Sequence, residues 1–282
     1  MKRLTAACAF LAALCACGAA PAAEPRIALV IGNSAYGAKP LPNPARDARA
    51  VAAVLTRLGF EVILRENARL ADLIDIFGDF AARSRRYPVR LVYYAGHGVQ
   101  ANGRNYMIPV DADIRADEEV RYKGADIGEL IDRLAERHDG LNIVILDACR
   151  NNPYPAVLRG DTGLAGIAAP QLPLRLRTRL RGATGPMEPK GTVIAYATAP
   201  GAIAYDGDSA NSLYTRALLA NIETPGLPLE LMFKRVRQTV VQQTREAQIP
   251  WENSSLVGDF CFAPGQAGLC SADTLTAGGN AR

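Results

Sequence analysis

Apolar runs alternate along this chain with segments of helical period, and that alternation narrows the fold more than any other feature. Arg26 to Ile31, Glu61 to Leu64, Val89 to Ala95, Leu141 to Leu146 and Thr192 to Ala197 read as strands. In Asn43 to Leu58, apolar Ala45, Ala48, Val51, Ala52 and Leu55 share one helical face; Pro44 suits the first turn and Gly59 ends the run. Leu70 to Arg85 repeats the pattern with Leu73, Ile74, Phe77, Phe80 and Ala81, and Pro88 closes it. Ile127 to Arg137, Ser212 to Ile222 and Leu229 to Thr244 are further helices. Gly96 to Lys123 reads mostly as loop with a short β segment at Tyr106 to Val110, and Ser255 to Phe262 as a last edge strand. Strands without polar alternation are buried on both faces, so the expected fold is α/β, a mostly parallel sheet covered by right-handed crossover helices.

The ends of the chain have other roles. Lys2 and Arg3 precede an apolar run, Leu4 to Ala16, and Ala20-Pro21-Ala22 fits a small-residue cleavage site, so residues 1–23 read as a signal segment. Leu14-Cys15-Ala16-Cys17 also resembles a lipoprotein signal with Cys17 as the lipidated residue. Export to the bacterial periplasm or beyond is expected. No other run reaches the ~18 apolar residues of a membrane span. The domain expected over 24–262 contains a connector, 151–191, and is followed by a loose tail, 263–282. A net charge of +4, from 32 basic and 28 acidic residues, is too balanced to suggest a nucleic-acid partner.

Export also constrains the thiols. With the signal removed, Cys149, Cys261 and Cys270 remain, an odd count that fits one disulfide and one free cysteine. Cys261 and Cys270 lie nine apart across Pro264, Gly265 and Gly268, a loop able to close them, which leaves Cys149 free.

Cys149 and one of only two histidines sit at matching places. Tyr93-Tyr94-Ala95-Gly96-His97-Gly98 ends one buried strand and Asp147-Ala148-Cys149-Arg150 ends another. Ligands of open α/β sheets bind outside the carboxyl ends of the strands. A thiol and an imidazole delivered there are the parts of a cysteine nucleophile site, with the amides of Gly98 and Cys149 as oxyanion donors. No C-x-x-C pair adjoins Cys149, which argues against a redox protein. His138, among Glu136, Arg137 and Asp139, reads as a solvated residue near a helix end.

These strings carry a resemblance. Ala28-Leu29-Val30-Ile31-Gly32-Asn33, Arg46-Asp47-Ala48, Tyr94-Ala95-Gly96-His97-Gly98 and Asp147-Ala148-Cys149-Arg150 resemble the caspase-like cysteine peptidases, and within them the bacterial metacaspase relatives. The His-to-Cys spacing of 52 is similar to the roughly 50 residues of caspases. The chain departs from the caspase signature in having Asp147 where Gln stands and Asn151 where Gly follows the Arg. The resemblance implies a three-layer α/β/α sandwich around a six-stranded sheet and hydrolysis of peptide or protein substrates.

Metacaspases use carboxylates to cut after arginine or lysine, and Asp147 and Asp47 look like such carboxylates; the other reading is a capping acid for Asp147 and a first-turn acid for Asp47. Asp206-Gly207-Asp208 either lines the cleft or forms a turn. Arg175, Arg177, Arg179 and Arg181 in the connector would suit self-processing within 171–190. The acidic stretch Asp111, Asp113, Asp117, Glu118 and Glu119 does not match a calcium-loop spacing, so neither a cofactor nor a metal site is expected, although relatives depend on calcium. The alternative to an enzyme is an exported binding or signalling module on the same fold. The sequence does not fix the oligomeric state.

Overall fold

The computed structural model describes residues 24–136, 140–154, 190–206, 209–266 and 270. In chain order, β1 (Arg26–Gly32) leads to α1 (Pro44–Arg57), β2 (Phe60–Glu66), α2 (Leu70–Arg83) and β3 (Val89–Ala95). A small hairpin, β4 (Gly98–Ala101) and β5 (Arg104–Met107), precedes α3 (Val120–Lys123), β6 (Ala125–Asp126) and α4 (Ile127–Ala135). Then come β7 (Leu141–Asp147), β8 (Gly191–Tyr196), α5 (Leu213–Ile222), α6 (Leu229–Thr244) and β9 (Trp251–Ser254). Six strands form one sheet in the order β2-β1-β3-β7-β8-β9, parallel except for β9, and β4-β5-β6 form a second, antiparallel sheet.

Successive side chains of a strand point to opposite faces, and each face of the large sheet has its own core. On one side Val30, Tyr93 and Ile145 pack with Leu55 of α1, Leu218 of α5 and Val236 of α6. On the other, Leu29, Val92 and Val144 pack with Phe80 of α2 and Leu130 of α4. This is the three-layer α/β/α sandwich, and it explains why the strands carry no polar alternation.

The sheet register places the ends of three strands at one level. Gly32 pairs with Ala95 and Ala95 pairs with Asp147, so the loops leaving β1, β3 and β7 emerge side by side. Close packing of α1 against β1 keeps that rim compact. A Cβ built on Gly32 would sit 2.4 Å from the Pro44 carbonyl oxygen and 2.6 Å from Ala48 Cβ. Asn33, fully buried beyond it, ties the rim together: its amide donates to the carbonyls of Ala68 and Ile108 and its oxygen accepts from Ala68 N at 2.9 Å.

Two expectations need correction. The last strand is Trp251–Ser254, not Ser255 to Phe262. Phe260 and Phe262 are instead buried in the core, and the backbone there serves α6 and its preceding loop, with Leu229 N donating to Phe260 O at 2.7 Å and Gly226 N to Ala263 O at 2.8 Å. The segment after His97 is also not mostly loop: Val99, Ala101 and Tyr106 of the hairpin pack with Tyr36, Ile108 and Val120 of α3 as a third, small core. Cys261 is joined to Cys270, with their Cα atoms 5.6 Å apart. No helix among the described residues is long and apolar enough to cross a membrane.

Gly32→Ala is expected to destabilise the fold by about 1–3 kcal/mol in urea unfolding, the usual effect of overpacking a filled contact. Gly37→Ala, where a Cβ meets nothing within 4 Å, serves as the control.

Candidate active site

His97 stands two residues beyond Ala95, and Cys149 two beyond Asp147, the residue paired with it. Adjacent strands lie about 4.8 Å apart, so equal steps off the sheet bring both residues to one rim. Gly96 N donates to Asp147 O at 3.3 Å. Gly98 packs on the cysteine loop: a Cβ there would lie 2.7 Å from Cys149 O and 2.8 Å from Ala148 Cβ. Only glycine lets the two backbones meet this closely.

The His97 backbone is held on both sides. Its N–H donates to the Tyr36 hydroxyl at 2.8 Å, and its carbonyl accepts from the Tyr94 hydroxyl at 2.7 Å and from Ile108 N at 3.0 Å. The Tyr36 ring lies 4.3 Å from the imidazole, centre to centre. Burial pushes the Tyr36 hydroxyl up to about 12, so it stays protonated. Nε2 of His97 lies 2.8 Å from the Lys39 carbonyl. A carbonyl only accepts, so this contact assigns a proton to Nε2 and, in the neutral ring, leaves the Nδ1 lone pair free for proton transfer.

Cys149 is half-buried and is the free cysteine among the described residues. Its Sγ donates to Ala204 O at 3.5 Å, and the next two amides, Arg150 N and Asn151 N, donate to Ala202 O at 2.9 and 3.1 Å. Burial pushes the thiol up, and the Asp147 and Asp206 carboxylates act in the same direction. The resting sulfur is therefore a thiol, and activation needs a base.

Cys149 and His97 line one cleft of about 80 Å³ together with Asp47, Asp147, Asp206 and Ser212. Among the described residues no lysine or arginine lines it. Asp47, in the first turn of α1, is buried and accepts from Asn211 Nδ2 at 2.8 Å and Ser212 N at 3.1 Å. Asp147 accepts from the Ser212 hydroxyl and from Thr215 Oγ1 at 2.7 Å. Thr215 spends its proton on that bond, so it accepts from the buried Tyr93 hydroxyl behind it. Asp206 accepts from Asn43 N at 3.2 Å. Burial, with the Asp147 charge beside it, pushes the Asp47 carboxyl up to about 7; burial pushes Asp147 to about 6 and raises Asp206. Hydroxyl and amide donors only partly offset the desolvation.

The cleft thus brings together Asp47, His97, Asp147 and Cys149, with Gly98 packed on the cysteine loop beside it. Asp206 also lines it, while Gly207, Asp208 and His138 lie outside the described residues. Ser212 is the N-cap of α5, its hydroxyl accepting from Thr215 N at 3.0 Å. The acidic stretch after β5 spends its carboxylates elsewhere. Asp111 accepts from Leu70 N, Asp113 pairs with Arg115 and Glu119 with Lys123. Sequence reasoning passed over Tyr36 and Lys39. A lone aromatic in a loop gives no periodic signal, and Lys39 acts through its backbone.

A family model described as the caspase domain of the C14 peptidases matches residues 25–261. The chain belongs to the caspase-domain peptidase family. Relatives of this caspase-domain chain include mucosa-associated lymphoid tissue lymphoma translocation protein 1 of Homo sapiens and its Mus musculus homolog. Each is 30% identical over 139 residues, which is 48% of this chain and 16% of the relative, so the chain spans only a small part of their length.

Two outcomes are expected of the isolated caspase-domain chain. Carbamidomethylation of Cys149 by iodoacetamide, followed on its peptide by mass spectrometry, should show a pH midpoint above the ordinary thiol value of about 8.5. The carboxyls give a second test. The folded state binds protons on Asp47 and Asp147 between their raised values, about 7 and 6, and the unfolded carboxylate value near 3.9, so stability falls as pH rises through that window. The thermal midpoint should therefore rise between pH 7.5 and pH 5, and Asp47→Asn, which keeps an acceptor for Ser212 N, should raise the midpoint at pH 7.5 and flatten the pH dependence.

Proposed function

We propose that this chain is an exported cysteine endopeptidase that cuts after arginine or lysine. The observation that carries the reading is the shared cleft: a thiol, an imidazole and three desolvated carboxyls line one cavity with no cation among its described lining residues. A guanidinium entering there pairs with Asp47 and Asp147 and draws both into the ionised form, with Asp206 adding to the negative field. Neutral and acidic side chains leave the carboxyls protonated or repelled.

As substrate binds, Nδ1 of His97 takes the Cys149 proton and the sulfur attacks the carbonyl carbon of the basic residue. The amides of Gly98 and Cys149 stabilise the oxyanion. When the intermediate collapses, the C–N bond breaks, the imidazolium protonates the departing amine and a thioester remains. Water, deprotonated by His97, then hydrolyses the thioester and frees the thiol. This sequence needs no cofactor. The Lys39 carbonyl holds the imidazole and the Tyr36 hydroxyl holds the His97 backbone, which together set the ring in the orientation that both proton transfers require.

The connector arginines Arg175, Arg177, Arg179 and Arg181 lie outside the described residues; we propose the 171–190 segment as the enzyme's own substrate, and intact wild-type protein after incubation would argue against that step. Residues 1–23 are the export signal in this reading, with Cys17 as the point of lipid attachment if one is made. The Cys261–Cys270 cross-link supports an oxidising compartment.

A fluorogenic peptide panel with Arg, Lys, Asp or Ala before the scissile bond tests the reading. Arg and Lys substrates should turn over at least about 100-fold faster than the others, because an uncompensated charge in the pocket is costly. Cys149→Ala and His97→Ala should fall to background. For the Arg substrate kcat/KM should climb with pH through the window from 6 to 7 as the pocket ionises. Turnover of Asp but not Arg substrates would overturn the pocket assignment; undiminished activity in Cys149→Ala would overturn the nucleophile.

A further inference from the structure

One buried cation has no counter-charge among the described residues. Arg150 follows Cys149 directly and is 4% exposed. Its Nε donates to Asn105 Oδ1 at 3.3 Å, and its guanidinium carbon lies 4.0 Å from the centre of the Tyr196 ring. Nη1 is sealed from solvent without a hydrogen-bond partner. None of the ion pairs among the described residues includes Arg150. A ring face returns only part of what it takes to desolvate a guanidinium.

The surroundings are shaped for a small partner. Arg150 lines a cavity of about 20 Å³ with Gly98, Asn105, Tyr106, Cys149 and Tyr196, and no acidic residue among those described lines it. That volume holds little more than one water-sized group, too little for a phosphate or a peptide side chain. The cavity adjoins the acidic cleft, sharing Ala148 and Cys149 with its lining, but lies toward the other face of the sheet. Leu146, Tyr196 and Met107 belong to the core on the α2 and α4 side of the sheet, whereas α1 and α5 on the opposite side supply Asp47 and the Ser212 cap.

We propose that Arg150 and this cavity form a binding site for a small monovalent anion, chloride being the ion of suitable size and supply. The anion completes the charge of Arg150 and so holds the residue against Tyr196. The Arg150 amide in turn fixes Ala202, two residues before the carbonyl that accepts the hydrogen bond of the Cys149 thiol. Occupancy therefore tightens the segment over the nucleophile. The inference stands whether or not the chain cleaves peptides.

Thermal unfolding of the whole protein in sodium chloride and in sodium gluconate, at equal ionic strength, tests it, since gluconate is too large for the cavity. The midpoint should be higher in chloride by about 3 °C, the shift expected when the anion exceeds its dissociation constant roughly tenfold. Arg150→Met should abolish the difference. Because that variant removes a core side chain and could fail to fold, crystals of the wild-type protein soaked in sodium bromide supply a second readout. An anomalous peak beside the guanidinium is expected. Equal midpoints in the two salts, or a cavity holding only water in the bromide soak, would overturn the proposal.

Discussion

The pairing of Ala95 with Asp147 is the constraint on which the site depends. Because β3 and β7 are parallel neighbours in that register, equal two-residue steps carry a histidine and a cysteine to one rim. A slip of one residue would turn every side chain of β7 to the other face, burying Asp147 among the leucines of the α2 and α4 layer. The hydrophobic patterning of the strands therefore settles more than the core. It decides which side of the sheet receives the carboxyls and which receives Arg150. Gly98 then locks the two loops at backbone contact, a distance that no residue with a Cβ would keep.

The cleft works against the stability of the fold that holds it. Three carboxyls are desolvated in one cavity; Asp47 and Asp147 are held by hydroxyls and amides, while Arg46 and His97 act on Asp206 against its desolvation. In the free protein burial favours their neutral forms; a bound guanidinium favours the charged ones. For Asp47 and Asp147 a cation is what would offset that desolvation, which is the physical basis of the basic preference proposed above.

Much of this was legible in the sequence, for identifiable reasons. The strands of the large sheet are continuous apolar runs, and the helices between them carry one apolar face each, so period alone separates the two. The glycine-flanked His97 and the acid before Cys149 stand at strand ends, where α/β proteins bind ligands. The small sheet was hidden because β4 and β5 are four residues each and the Gly98–Met107 stretch has no clean alternation. The last strand was misplaced because Leu256, Val257, Phe260 and Phe262 look like an edge strand, while tertiary packing sends the phenylalanines into the core and leaves Trp251–Ser254 on the edge. Asn33 and Tyr36 could be read only from contacts, since each acts through carbonyls and amides distant in the chain.

The Ser212 hydroxyl begins α5 and also holds Asp147, while its amide holds Asp47. One residue thus joins the start of a helix to the charge of the cleft. Replacing the carboxyls with apolar side chains would orphan these donors, and replacing the serine would fray the helix. A change in the charge of this cleft must therefore arrive as a concerted exchange of cap and carboxyls, a coupling that resists drift by single substitutions.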